Sequence, residues 1–160
     1  MKSGMQYLGV VLAVWLMMAV PVAWGQEGAE EAQPSLYERL GGLAPITVVV
    51  SDFIDVLVQD PELNANPAVD AARQRVPAPY LKYRVTSFVC QATGGACQYQ
   101  GHSMYDAHAH LGITESEWGR MMSLLEEVLR EHEVPPGEIE DVLALVESTK
   151  GEIVTAEDDA

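Results

Sequence analysis

Apolar residues recur at helical spacing in four separate segments of this chain, and this spacing constrains the fold more than any other feature. In the first segment they follow one another at offsets of 0, 3, 4, 7 and 11 residues, at Ile46, Val49, Val50, Phe53 and Leu57. This spacing places them on one face of a helix. Similar stripes occupy residues 81–92, 118–129 and 139–153, and no segment shows the alternation typical of a strand. The pattern predicts an all-α domain whose helices bury their stripes on each other.

Capping signals predict where several of these helices begin. Ser35 with Glu38, and Thr114 with Glu117, form the S/T-x-x-E capping box. Pro45 suits the first turn of the next helix.

Other residues predict where the helices end. Glycine pairs at residues 41–42 and 94–95 favour helix ends, and the proline after Asp60 favours another. The proline-rich stretch from residue 62 to 79 is predicted to be a loop or a broken helix.

The first 25 residues have the pattern of an export signal. Lys2 precedes an apolar run of 13 residues at positions 8–20, and a small-x-small site at residues 23–25 precedes Gln26. An uncleaved membrane anchor is the alternative, but the run is short for a span of about 20 residues. We therefore expect an exported product, periplasmic or secreted, without stable membrane insertion after cleavage. Residues 26–34 are expected to form an acidic flexible linker and residues 155–160 an acidic, mobile tail around a domain at 35–154.

The net charge excludes some classes of partner. Without residues 1–25 the chain has 8 Lys and Arg against 24 Asp and Glu, a formal charge of −16. Binding to nucleic acid or to an anionic membrane surface requires clustered cations, which this balance opposes.

The two cysteines, Cys90 and Cys97, would close a ring of eight residues. In an oxidising compartment a nearby pair can form a disulfide, and two buried thiols are the alternative. Their spacing does not match C-x-x-C, so neither thioredoxin-type redox chemistry nor c-type haem attachment is indicated.

Three of the four histidines, His102, His108 and His110, fall within nine residues. They could be surface or core residues without a ligand. They could bind zinc or copper, although residues two apart on a helix point to different faces. One of them could instead bind haem iron from a helix across an apolar cleft. The spacing alone leaves all three interpretations open.

Several motifs occur together in a fixed order along residues 35–154. They are S-L-Y-E-R-L-G-G at 35–42, V-V-V-S-D-F at 48–53, D-P-x-L at 60–63, L-K at 81–82, Phe88, G-G at 94–95, Y-x-G at 99–101 and M-x-x-x-H-x-x-x-G-I-T at 104–114. This series resembles the truncated haemoglobins, most closely their first group. The resemblance implies a two-over-two helical sandwich that holds a non-covalent b-type haem. It also implies that His108 is the proximal iron ligand and that Met104, Phe53 and Phe88 line the haem pocket.

The gas-binding side of the predicted pocket departs from the family pattern. Ile54 stands where the family has a tyrosine, and Val85, beside Leu81, stands where the first group often has a glutamine. Bound O2 develops negative charge, and a hydrogen-bond donor stabilises it by about 1–3 kcal/mol. Three apolar residues therefore predict fast O2 release, unless Tyr80, Tyr83 or a water supplies the donor.

Arg84 is a candidate partner for a haem propionate, with a solvated surface cation as the alternative. Lys82 also matches the family, but it is expected to extend outward.

The expected function is reversible binding of O2, NO or CO by a monomer, with an electron-donating reductase as a candidate partner. One alternative is a haem enzyme, an NO dioxygenase or a peroxidase. Peroxidase activity benefits from a distal acid–base group, which the apolar residues do not supply. The other alternative is a haem-free helical protein that binds a transition metal through its three clustered histidines.

Overall fold

The computed structural model describes residues 33–158 and shows eight α-helices there. The predicted export signal and most of the predicted linker lie outside these residues. The helices are α1 Leu36–Arg39, α2 Leu43–Leu57, α3 Pro67–Arg75, α4 Ala78–Ala92, α5 Met104–His108, α6 Glu115–Glu131, α7 Pro136–Glu147 and α8 Lys150–Ile153.

Both predicted capping boxes are confirmed. The Ser35 hydroxyl accepts from the backbone N–H of Glu38 at the start of α1, and the Glu38 carboxylate accepts from the backbone N–H of Ser35. Thr114 and Glu117 make the same reciprocal pair at the start of α6. The signal was reliable because both partners of each bond lie within one turn of the chain.

The packing is the predicted two-over-two arrangement, in which α2 packs on α4 and α6 packs on α7, with α2 also contacting α6. One buried cluster joins α2 to the stripe of α4, and a second joins α6 to α7. The only β-bridge among residues 33–158 pairs Ile113 with Val154.

The stretch from residue 62 to 79 is a broken helix, the second of the two predicted forms. A 3₁₀ turn at Leu63–Ala65 precedes α3, whose N-cap is Asn66 and whose first residue is Pro67. Asn at the N-cap followed by proline at the first helical position favours a helix start at this point.

An ion pair between Asp60 and Arg120 fixes the end of α2 against α6. The Arg120 side chain donates to Asp60 Oδ2 at 2.7 Å, and Asp60 Oδ1 accepts from the backbone N–H groups of Glu62 and Leu63, both at 3.0 Å. The Arg120 hydrogen bond, together with these backbone donors and the Arg120 charge, lowers the pKa of Asp60 although its burial acts in the other direction.

The C-terminal region differs from the prediction in one respect. The last predicted helix is interrupted after Glu147 and resumes as α8. The described part of the predicted mobile tail contacts α6, since Asp158 accepts from the backbone N–H and the hydroxyl of Ser116 at 3.1 and 2.6 Å. These bonds are the main cause of the lowered pKa of Asp158.

Within residues 33–158, no helix combines the length and the apolar character needed to span a membrane.

Candidate functional site

A large apolar cavity of about 1010 Å³ lies among α2, α4, α5 and α6. Its volume is at the upper end of the range for small-molecule and cofactor sites. All eight residues predicted to contact a haem line this cavity: Phe53, Ile54, Leu81, Arg84, Val85, Phe88, Met104 and His108. The helical packing therefore brings together side chains from three helices. The two that are farthest apart in the sequence, Phe53 and His108, are separated by 55 residues.

His108 is held in one orientation by its own helix. Ser103 caps α5 by accepting from the backbone N–H of Asp106 at 3.0 Å. One turn later, Nδ1 of His108 lies 2.8 Å from the carbonyl oxygen of Met104. A carbonyl can only accept, so Nδ1 must carry the proton in this bond. The other ring nitrogen, Nε2, is then left with a lone pair, as a metal ligand requires.

The wall contributed by α2 and α4 is apolar. Ile54 is only 2% exposed, and it belongs to a buried cluster against which Leu81 and Val85 pack. The three residues that the sequence singled out are thus neighbours, and none of their side chains can donate a hydrogen bond.

Arg84 is a charged residue on this otherwise largely apolar wall of the cavity. Its guanidinium carbon lies 4.8 Å from the ring centroid of Tyr80 and 5.8 Å from that of Tyr83. Its Nε atom is buried and has no hydrogen-bond partner among the described residues. An unpaired buried donor destabilises a protein, so this atom indicates a missing acceptor.

The other predicted candidates have different positions. His102 and His110 are both exposed at the edge of the cavity. Lys82 does not line the cavity; its Nζ lies 2.6 Å from Asp55 Oδ2 and 3.0 Å from Ser51 Oγ. Among residues 33–158 there is no group of three His, Cys, Asp or Glu side chains arranged to hold a metal ion.

Some residues of the cavity wall were not predicted from the sequence. Arg75 lines it from α3, which was not predicted as a regular helix, and Trp118 lines it from α6 with its Nε1 bonded to Glu147 at 2.9 Å. Tyr80 also lines the cavity, whereas Tyr83 does not. The helical stripe containing Trp118 predicted burial, but periodicity cannot distinguish a packed core from a cavity wall.

Cys90 and Cys97 are joined by a disulfide in the structure, with their Cα atoms 5.8 Å apart. Cys90 is completely buried at the end of α4.

These residues fit a haem. The group is flat and largely apolar, with an iron that accepts an imidazole and with anionic propionates at one edge. The cavity supplies apolar walls, an imidazole with one nitrogen already bonded, and a buried arginine donor that has no partner within residues 33–158.

Comparison with known proteins agrees with the fold. Residues 35–155 match the family model described as "Bacterial-like globin". A group 1 truncated hemoglobin of Chlamydomonas moewusii is 30% identical over 122 residues, which cover 75% of this chain and 68% of that protein. A group 1 truncated hemoglobin of a Synechocystis species is also 30% identical over 122 residues, covering 73% of this chain and 90% of that protein.

A solved structure shows the same architecture. The 2/2 hemoglobin of a Synechococcus species, in the cyanomet state and with covalently attached heme, superimposes with a TM-score of 0.66 at 25% identity, covering 76% of this chain and 98% of that one. The chain belongs to the bacterial-like globin family, and within it to the truncated haemoglobins, with group 1 members among its relatives.

Proposed function

We propose that this protein is an exported globin that binds haem b through His108 and reversibly binds a diatomic gas in a pocket without polar side chains around the ligand. Family membership implies a haem-binding globin. The observation that carries the more specific proposal is the arrangement of His108, whose Nδ1 is bonded to Met104 within the apolar cavity.

His108 would hold a bound haem through its iron, and that iron would supply the binding of O2, NO or CO. The bond from Nδ1 of His108 to the Met104 carbonyl fixes the tautomer and the ring orientation, and it makes Nε2 a better donor to a metal. Arg84 binds a propionate, which gives its buried Nε the acceptor that the described part of the chain does not supply.

The residues around the gas determine which ligand is favoured. Ile54, Leu81 and Val85 exclude water and offer no donor, so they give no extra stability to a ligand that develops negative charge. O2 depends most on such a donor. Weak retention of O2 disfavours storage and makes NO or CO a more effective ligand.

Tyr80 is an alternative donor on the cavity wall. It is 50% exposed, and its ring lies beside the Arg84 guanidinium. We therefore assign it to the edge of the cavity and not to the gas site.

The location and the partners are further parts of the proposal. The apolar run at residues 8–20 and the Cys90–Cys97 disulfide both suit an exported protein, periplasmic or secreted. We take the protein to be a monomer, with an electron-donating reductase as its partner.

The proposal is tested by titrating the purified protein with haem. Absorption spectra are then recorded of the oxidised form and of the reduced form under CO. Wild type, His102→Ala and His110→Ala should form a stable Soret complex, whereas His108→Ala should not. A stable and unchanged complex in His108→Ala would refute the ligand assignment.

A second measurement separates gas binding from enzymatic activity. The oxygenated protein is mixed with NO in a stopped-flow instrument. Slow or substoichiometric nitrate formation supports simple binding, since the apolar wall does not prolong O2 retention. Rapid, stoichiometric nitrate formation would instead favour an NO dioxygenase.

A further inference from the structure

The Cys90–Cys97 disulfide joins α4 to the segment between α4 and α5, and both contribute residues to the cavity wall. Cys90 lies in the last turn of α4, the helix that carries Leu81, Arg84, Val85 and Phe88. Cys97 lies in the segment at residues 93–103, which leads to α5 and therefore to His108. The bridge thus connects the wall near the proposed gas site to the chain that positions the iron ligand.

The residues that follow Cys97 are held against α4. The backbone N–H of Tyr99 donates to Gln91 Oε1 at 2.7 Å, and the Ser87 hydroxyl donates to the carbonyl of Gln98 at 3.3 Å. The ring of Tyr99 packs edge-on against Phe88 with centroids 5.5 Å apart, and both rings line the cavity. All of these contacts lie within two residues of Cys97, so their geometry depends on where the bridge places this segment.

The helix that carries His108 has little stability of its own. With five residues, α5 is far shorter than the length at which an isolated helix is stable, so its position depends on tertiary contacts and on its flanking chain. It packs on α8 and on the turn that follows it, whereas its connection to α4 runs through residues 93–103. Within that connection the disulfide is the one covalent restraint in the described chain.

We propose that the Cys90–Cys97 disulfide is a positioning element for His108, so that haem retention depends on the oxidation state of these two cysteines. This inference rests on the proposed haem-binding function. The oxidised protein holds the 93–103 segment, and through it α5, in a geometry suited to haem. The reduced protein loses this restraint and releases haem faster. Haem retention is thereby linked to an oxidising compartment outside the cytoplasm.

The chemistry of the switch is thiol–disulfide exchange with a dithiol. A thiolate of the reductant attacks the sulfur of Cys97, which is partly exposed, and Cys90 leaves as a thiolate that takes up a proton. The second thiol of the reductant then displaces Cys97. The protein gains two electrons and two protons, and the reductant ends as its own disulfide.

Haem transfer to excess apomyoglobin measures the predicted effect. Four samples of ferric holoprotein are compared: wild type and Cys97→Ser, each with and without anaerobic dithiothreitol. We expect reduced wild type to lose haem at least about 10-fold faster than oxidised wild type. The Cys97→Ser variant should lose haem as fast as reduced wild type in both of its samples, because the reductant has no bridge to act on. Thiol labelling verifies the redox state.

Two further readouts distinguish positioning from a general loss of stability. The iron–histidine stretching band in the resonance Raman spectrum of the ferrous protein should shift or broaden when the bridge is absent. Far-UV circular dichroism reports whether the fold is retained. If Cys97→Ser does not fold, the two wild-type samples decide the question through haem loss and circular dichroism together, and faster haem loss that accompanies loss of the fold would overturn the inference.

The haem-transfer experiment distinguishes failure of this inference from failure of the proposed haem-binding function. Equal haem-loss rates in oxidised and reduced wild type, with haem bound in both, would overturn the inference and leave the haem-binding proposal intact. Absence of haem binding in both redox states would overturn both.

Discussion

The guanidinium of Arg84 lies over the ring of Tyr80 at 4.8 Å, yet its Nε is buried without a partner among the described residues. The stacking stabilises the arginine by about 0.5–1 kcal/mol, while the unpaired donor costs about 1–3 kcal/mol. The residue therefore does not improve the stability of the protein without its ligand. This arrangement is typical of a residue whose role is to bind a ligand.

Arg84→Met should separate ligand binding from stability. We expect the free energy of unfolding of the apoprotein to stay the same or to rise, because an unpaired buried donor is removed. Haem loss should accelerate about 10-fold or more, since a hydrogen bond to a charged group contributes about 1.5–3 kcal/mol. Urea unfolding of the apoprotein and haem transfer to apomyoglobin measure the two effects.

Lys82→Met is the matched control for Arg84→Met. It removes a cation from the same helix, but from a residue that is paired with Asp55 and does not line the cavity. It should lower the stability of the apoprotein slightly and leave haem loss unchanged. Equal haem loss in the two variants would contradict the role of Arg84.

Ile54→Tyr should slow O2 release. Ile54 is buried in the cluster against which Leu81 and Val85 pack, so a tyrosine hydroxyl there would place a donor among side chains that have none. A gain of about 1 kcal/mol corresponds to a roughly fivefold slower release. Stopped-flow displacement of O2 by CO measures the rate. Ile54→Phe is the control for size, and it should not slow release by the same mechanism. An unchanged rate in Ile54→Tyr would mean that another donor already reaches the ligand.

Acid should weaken the fold partly through Asp60. Its pKa is lowered in the folded protein, so folding favours the ionised carboxylate. The resulting stability is complete above the ordinary pKa of 3.8 and is lost as the pH falls below it through the lower pKa of the folded state. Glu38 and Asp158 contribute in the same direction.

Asp60→Asn tests this linkage. The variant should be less stable than wild type at pH 7, because the charge facing Arg120 is lost, and the difference should shrink toward pH 3. Urea midpoints at several pH values give the comparison. Glu140→Gln changes the net charge equally at an exposed residue and should retain the wild-type pH dependence. The same pH dependence in Asp60→Asn and wild type would contradict the assignment.

Features of this fold that depend on neighbouring residues could be predicted from the sequence. One or two turns of chain contain the whole signal for the capping boxes at Ser35 and Thr114 and for the helical stripes. The lack of a strand-like alternation in the sequence is visible over the same short distance. The resemblance around His108 then supplied the two-over-two arrangement, which periodicity could not. The role of His108 toward haem remains a prediction that follows from this resemblance and from the geometry.

Features that depend on distant residues could not be predicted. Asp60 and Arg120 are 60 residues apart, and Ser116 and Asp158 are 42 apart. No short sequence motif indicates that the two residues of either pair are in contact. The Nε of Arg84, which has no partner in the described part of the chain, is likewise a property of the packed structure, since only the packing shows which acceptors are out of reach.

Gly95 illustrates a glycine whose importance is steric. A Cβ atom at this position would lie 2.7 Å from Cys90 Sγ and 2.7 Å from two ring carbons of Tyr37. The sulfur is held by the disulfide, so it cannot easily move aside. Gly95→Ala should therefore destabilise the oxidised protein by about 1–3 kcal/mol, as overpacking does elsewhere.

At Gly119, within α6, an added Cβ atom would have no neighbouring atom within 4 Å among the described residues, apart from its own helix backbone and chain neighbours. Gly119→Ala should stabilise by about 0.5–1 kcal/mol. Urea unfolding of both variants measures the two changes in stability. Equal effects of the two substitutions would rule out the close approach at Gly95.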